Sequence, residues 1–194
     1  MDTYLLDTNL VSVLYDARRP NHIAVRQAVA DLPAQAAQLV SVVTVGELRF
    51  GLALARAASQ PLTHIEACRV STEAHPLAEV TRHTADAFAT VKSSVALARI
   101  DIRRRIPRWV EAWTDRVSGQ LLQIDENDLW IAAQALERNY VVVTSDRDFT
   151  QVIAPVVAGA MAQATGTFKG ALWLTAGVMA AGMALLASQP DEGQ

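Results

Sequence analysis

Short apolar runs alternate with helically spaced segments along residues 1–150. "TYLLD" is an apolar run that ends on Asp7. "QLVSVVT", Gln38 to Thr44, predicts a second strand, and the following "VGELRFGLALARA" carries its apolar residues at helical spacing. "HPLAEV", His75 to Val80, fits a third strand. From Thr81 to about Leu122 the pattern is mainly helical, with a break at Pro107. "NDLWIAAQALERN" predicts a helix with Asn127 as N-cap and Asn139 as C-cap, feeding the strand "YVVVT". Strands alternating with helices predict an α/β fold around a parallel sheet with right-handed crossovers.

Composition changes this picture at one place. With 194 residues the chain has room for one domain with a real core, and 51% hydrophobic against 19% charged residues excludes disorder. Beyond Gln151, Lys169 is the only charge before Asp191. The pattern therefore divides the chain into a domain over residues 1–153 and an Ala/Gly-rich tail over 154–194. Gly170 to Ala187 is 18 residues without a charge. That length would make a membrane anchor, with Lys169 on its cytoplasmic side and the domain held at the inner face of the membrane. A helix packed on the domain would read the same way. A single cysteine, Cys68, excludes a disulfide framework or Cys-rich zinc site and suits a reducing cytoplasm. The net charge of −3 gives no global attraction to nucleic acid, so an RNA role would need a local basic patch.

Acidic residues mark the ends of the predicted elements. Asp7 ends the first strand, and Glu47 lies just inside the helix after the second. Asp128 falls in the first turn of the helix before "YVVVT", and Asp146 and Asp148 follow that strand. Each has an ordinary alternative. Asp128 can complement a helix dipole, Asp7 can start a turn, Glu47 can sit on a solvated face, and Asp146 and Asp148 can form a turn and cap. Parallel sheets, however, place ligand sites outside the carboxyl ends of their strands. Carboxylates gathered there repel one another unless a hard cation with a taste for oxygen ligands sits among them.

"YLLDTNLVSVL", "SVVTVGELRFGL", "NDLWIAAQAL" and "VVVTSDRDF" resemble, in this order, the four acidic blocks of the PIN-domain ribonucleases, and specifically the toxins of VapC-type toxin–antitoxin pairs. The resemblance implies a small α/β/α sandwich and a Mg²⁺- or Mn²⁺-dependent endoribonuclease that dimerises and is neutralised by a small antitoxin. Matched block by block, the catalytic acids would be Asp7, Glu47, Asp128 and Asp146. Asp7 and Asp128 would lead in holding metal, while Glu47 and Asp146 complete the pocket and orient water. Asp148 would stand behind them, with Thr8, Asn9 and Thr144 supplying hydrogen bonds.

The chain departs from that pattern in two places. Between Glu47 and Asp128 it carries extra length containing "RIDIRRRIPRWVEAW". One reading makes this a solvated helix with the tryptophans in the core. The other makes Arg103, Arg104, Arg105, Arg108 and Trp109 an arm that grips RNA phosphates and stacks a base. The second departure is the tail. A non-catalytic acidic α/β module that keeps the fold and binds RNA or protein is the rival to a nuclease; such a module would be expected to have lost at least one acid, and all four are present. Phosphatases and phosphoacceptors also use strand-end aspartates, but they pair the nucleophilic Asp with a second one two residues on, which "LLDTN" lacks.

Overall fold

The computed structural model describes residues 2–147 and 149–156. Asp148 and the stretch 170–187 lie outside the described residues. Among those described, no helix is long and apolar enough to cross a membrane.

Among the described residues, four parallel strands form the sheet: β1 (Thr3–Leu6), β2 (Ala37–Ser41), β3 (Leu77–Ala78) and β4 (Val141–Val143). Their order is β3-β2-β1-β4, so the first and last of these four strands lie side by side. The helices are α1 (Thr8–Leu14), α2 (His22–Ala30), α3 (Val42–Ala57), α4 (Thr63–Glu73), α5 (Arg82–Arg99) and α6 (Glu126–Arg138). Alternation along the strands sends Leu5, Leu39 and Val142 to one face, against α5 and α6. Tyr4, Leu6, Val40, Val141 and Val143 face the other way, against α1 and α2. Helices thus cover both faces of the parallel sheet, giving the α/β/α sandwich that the resemblance of the acidic blocks implies.

Several boundaries move. The second strand ends at Ser41 rather than Thr44, because Ser41 turns its Oγ onto the Val43 amide at 3.0 Å and starts α3 there. Helix α6 is capped by Asp125, not Asn127: the Asp125 side chain accepts from the Asp128 amide, and the Asp128 side chain accepts from the Asp125 amide. Asn139 does close the helix, in the left-handed conformation (φ 54°, ψ 44°).

The largest difference concerns the helical segment expected to run to Leu122. Helix α5 stops at Arg99, where Ile100 becomes extended, and residues 100–125 form a loop with one short 3₁₀ turn at Val110–Ala112. Asp101 accepts from the Arg103 amide in a tight turn, and the buried Trp113 ring donates to the Pro107 carbonyl at 3.0 Å. The solvated-helix reading of the arginine run therefore fails, and so does a shared core position for the tryptophans. Trp113 is 3% exposed and Trp109 is 60%.

The left-handed Asn139 gives a direct test of the α6–β4 connection. Asn139→Ala should cost about 1 kcal/mol, because a Cβ-bearing residue without a local hydrogen-bonding side chain is disfavoured there, whereas Asn139→Gly should be neutral or better. Denaturant midpoints of the two variants check this.

Candidate active site

The parallel pairing of β1 with β4 brings the first two acids together. The Asp7 amide donates to the Val143 carbonyl at 3.0 Å, extending the ladder one residue past β1. Asp7 then caps α1 in an extended conformation, and its carboxylate accepts from the Thr144 hydroxyl at 2.7 Å. Two residues on, the Asp146 amide donates to the same hydroxyl oxygen, which fixes the turn after β4. Asn9, on the exposed side of α1, donates to Asp146 Oδ2 at 2.8 Å. Thr144 and Asn9 thus hold the two aspartates from beneath and beside.

Glu47 arrives from α3, one turn further along than the sequence pattern suggests. Its Oε2 accepts from the Thr8 hydroxyl at 2.5 Å, and its Oε1 accepts from Asn127 Nδ2 at 2.9 Å. Thr8 also meets Thr44 hydroxyl to hydroxyl at 2.8 Å. One carboxylate is therefore pinned by α1 and α6 together. Asn127, expected as a helix cap, instead orients Glu47. Asp128 follows it, with one carboxylate oxygen held by the Asp125 amide at 3.0 Å.

Burial decides the electrostatics. Asp7 is 1% exposed and Asp128 is 9%. Desolvation raises the Asp7 pKa to about 6; the Thr144 hydroxyl and Thr8 amide counter it in part, while the charges of Asp146 and Glu47 push it further up. Asp128 is raised to about 8, again first by burial, with Asp125, Asp7 and Asp146 adding repulsion. Neither Asp7, Glu47 nor Asp128 forms an ion pair with any Arg, Lys or His of the described chain. At the carboxyl edge of the sheet, Asp7 therefore senses the charges of Glu47 and Asp146, and Asp128 those of Asp7 and Asp146.

They do not converge on a point. Among the described residues, no three His, Cys, Asp or Glu side chains stand close enough to hold a metal ion as they are arranged. The hydrogen bonds explain why: Glu47 leans to Thr8 and Asn127, Asp146 to Asn9, and Asp7 to Thr144. The donor set itself still suits a hard divalent cation, being all oxygen and lacking any compensating cation on Asp7, Glu47 or Asp128. Asp125 is the acid that sequence reasoning missed. The signal was present in its spacing to Asp128, which is that of a reciprocal capping box.

The 100–125 loop leads into the N-terminal end of α6, where Asp125 and Asp128 lie. Lys92 pairs with Glu126, the first residue of α6, at 2.6 Å, and α5 continues seven residues beyond it, about 10 Å. From the loop, Glu111 accepts the Glu126 amide at 3.3 Å. Arg103, Arg104 and Arg105 line a hollow of about 630 Å³ in the loop with Trp113 and Arg116. Arg103 and Arg104 each reach Asp101 at 3.5 Å yet remain almost fully exposed. Arg108 lies over the Trp109 ring at 4.9 Å, so cation and exposed aromatic face share one surface.

Residues 4–154 match the PIN domain family. No curated protein matches the chain in sequence. Solved structures do. The DNA-bound VapBC of Salmonella typhimurium is 18% identical, covers 78% of this chain and 93% of its own, and superposes with a TM-score of 0.52. VapBC-1 of nontypeable Haemophilus influenzae is 23% identical over 79% and 93% of the two chains, with a TM-score of 0.51. VapBC2 of Rickettsia felis, bound to a DNA fragment from its promoter, is 14% identical over 77% and 92%, with a TM-score of 0.50. At these identities the likeness is one of fold.

The raised pKa values make a prediction about stability without metal. Both carboxyls bind protons more tightly folded than unfolded, where 3.8 is the ordinary value. Their contribution is therefore greatest at low pH and is lost as pH rises from about 4 to about 8. One pKa unit corresponds to about 1.4 kcal/mol, so Asp128→Asn should stabilise metal-free protein at pH 8 by on the order of 1–2 kcal/mol and flatten the pH profile. Thermal melts in EDTA across that pH range check the sign.

Proposed function

The chain belongs to the PIN-domain family, and from that premise we propose that it is a divalent-metal-dependent endoribonuclease, the toxin of a toxin–antitoxin pair. One observation carries the reading. Two buried carboxylates, Asp7 and Asp128, share the sheet edge with Glu47 and Asp146 while no cation of the described chain pairs with Asp7, Glu47 or Asp128. A fold that leaves such charge uncompensated is stabilised when a cation binds.

Asp7 and Asp128 would hold Mg²⁺ or Mn²⁺, with Glu47 and Asp146 beside them. Bound there, the ion supplies charge relief on the phosphoryl oxygens and lowers the pKa of a water. The chain's own residues do the positioning. Thr8 and Asn127 fix both oxygens of Glu47, which makes it an oriented acceptor for a water proton. Asn9 and the Thr144 hydroxyl hold Asp146 and Asp7 in fixed relation at the rim. Asp148 would support the site without holding the ion. The 100–125 loop, with Arg103, Arg104, Arg105 and the Arg108–Trp109 pair, would take RNA phosphates and stack a base. The likeness of the acidic blocks to the VapC-type toxins further supports a homodimer and a small antitoxin partner that covers the site. Residues 1–153 would then be the nuclease unit.

RNA cleavage should vanish in EDTA and return with Mg²⁺ or Mn²⁺. Asp7→Asn and Asp128→Asn should each lose at least about a hundredfold in activity, corresponding to about 2.7 kcal/mol of barrier, while keeping the native fold. Digestion of mixed cellular RNA with mapping of the cut ends measures this, and full cleavage by both variants would sink the assignment.

The loop makes a separate prediction. Replacing Arg103, Arg104 and Arg105 by Ala should weaken RNA binding and flatten its log–log salt dependence by about 0.7 per phosphate no longer engaged, with no change in metal affinity. Binding isotherms at several salt concentrations, paired with metal titrations, separate the two.

A further inference from the structure

A second hollow, of about 350 Å³, opens on the opposite side of the acidic site from the arginine loop. It lies between α1, the α1–α2 connection and the turn after β4, on the α1/α2 face of the sheet; the loop belongs to the α5/α6 face. Its polar lining comes from Asn9 and Ser12 of α1, Arg19 and Asn21 of the connection, and Ser145 and Arg147 of the turn. Asp146 is part of its wall, so the hollow and the acidic site share a residue. Its size falls within the ~300–1,000 Å³ of small-molecule sites.

The charges in this hollow point to an anion. Arg18 is already paired with Asp16 through two guanidinium nitrogens, but its neighbour Arg19 forms no ion pair among the described residues and is exposed at the mouth. Arg147 adds a second guanidinium from the other wall. Asp146, the negative group in the lining, has Oδ2 engaged by Asn9 and Oδ1 by the Phe149 amide at 3.4 Å. The α1–α2 connection is held in shape for this. The Arg19 amide donates to the Asp16 carbonyl at 2.9 Å, the His22 amide donates to the Arg19 carbonyl at 3.3 Å, and Asn21 takes the left-handed conformation (φ 64°).

We infer that this hollow is the subsite for the nucleotide next to the scissile one, with Arg19 and Arg147 on its phosphate and Asn21, Ser12 and Ser145 available to its ribose hydroxyls. The inference rests on the endoribonuclease reading. Guanidinium groups match phosphate oxygens with two donors at once, and hydroxyl and amide side chains suit a ribose. An RNA strand would then cross the sheet edge from one cation-lined hollow to the other, over the carboxylates between them. That arrangement also explains how a chain of net charge −3 can bring a polyanion to an acidic pocket.

The test measures binding of short single-stranded RNA of mixed sequence to the full chain in EDTA, over a series of KCl concentrations, by fluorescence anisotropy. The double variant Arg19→Ala/Arg147→Ala should bind about tenfold more weakly, with a log–log salt slope flatter by about 0.7 for each phosphate it no longer neutralises. Arg19→Lys should restore most of the slope, because it keeps the charge. Arg18→Ala should behave as wild type, since that side chain is paired away from the hollow. With Mn²⁺ added, the double variant should show a raised KM and a kcat within about threefold of wild type, which is about 0.65 kcal/mol of barrier. Wild-type affinity and slope in the double variant would overturn the subsite. Wild-type protein that binds RNA without cutting it would overturn the ribonuclease reading, while the slope comparison still decides the subsite. Wild-type protein that binds no RNA would overturn both.

Discussion

Everything at the site depends on the parallel pairing of β1 with β4. Leu6 faces Val143 across that ladder, and the ladder's last bond runs from the Asp7 amide to the Val143 carbonyl. The side-chain bond from Thr144 to Asp7 then follows from register alone. A one-residue slip would turn every side chain of β4 to the other face and separate these two groups. The register is fixed because both faces are buried: Val141 and Val143 pack against α1 and α2, and Val142 against the layer of α5 and α6. Core packing on both sides thus specifies a polar contact at the rim.

Against that rigid edge stands an unfavourable electrostatic arrangement. Asp7 and Asp128 lose hydration on folding and gain no cation of the described chain in return. Hydrogen bonds from Thr144 and the Asp125 amide offset part of the cost. Structures retain such strain where function uses it. Glu47 differs, since both its oxygens are satisfied, and this gives it a defined orientation.

Asp7 and Asp146 could be placed from the sequence because each follows an apolar strand where the period of two stops. Glu47 and Asp128 lie inside α3 and the first turn of α6 and were singled out by the resemblance of their blocks. The α/β class with a parallel sheet was legible from the alternation of strand and helix periods, and the sandwich from the family resemblance. What could not be read were the bonds made by small polar side chains. Ser41 stops β2 early by taking a backbone amide, and Asp125 displaces Asn127 as the cap of α6. The 100–125 loop misled most, since Arg-, Ile- and Trp-rich text carries helix propensity. Its course is set instead by the Asp101 turn and by Trp113 reaching back to the Pro107 carbonyl. Arg19 and Arg147 gave no sequence signal at all, because only the fold sets the α1–α2 connection beside the turn after β4.

The bond between Thr144 and Asp7 spans 137 residues of chain. Among the described residues, strand β4 is both the last strand of the sheet to be synthesised and the direct neighbour of the first. During translation, then, β1 waits with its outer edge unpaired until β4 clears the ribosome, and a pairing of such long range closes late in folding. The acidic pocket cannot exist on a nascent or prematurely terminated chain that ends before Thr144. The order of strands makes the β1–β4 pairing a prerequisite for the acidic pocket, so incomplete copies lack that pocket by topology.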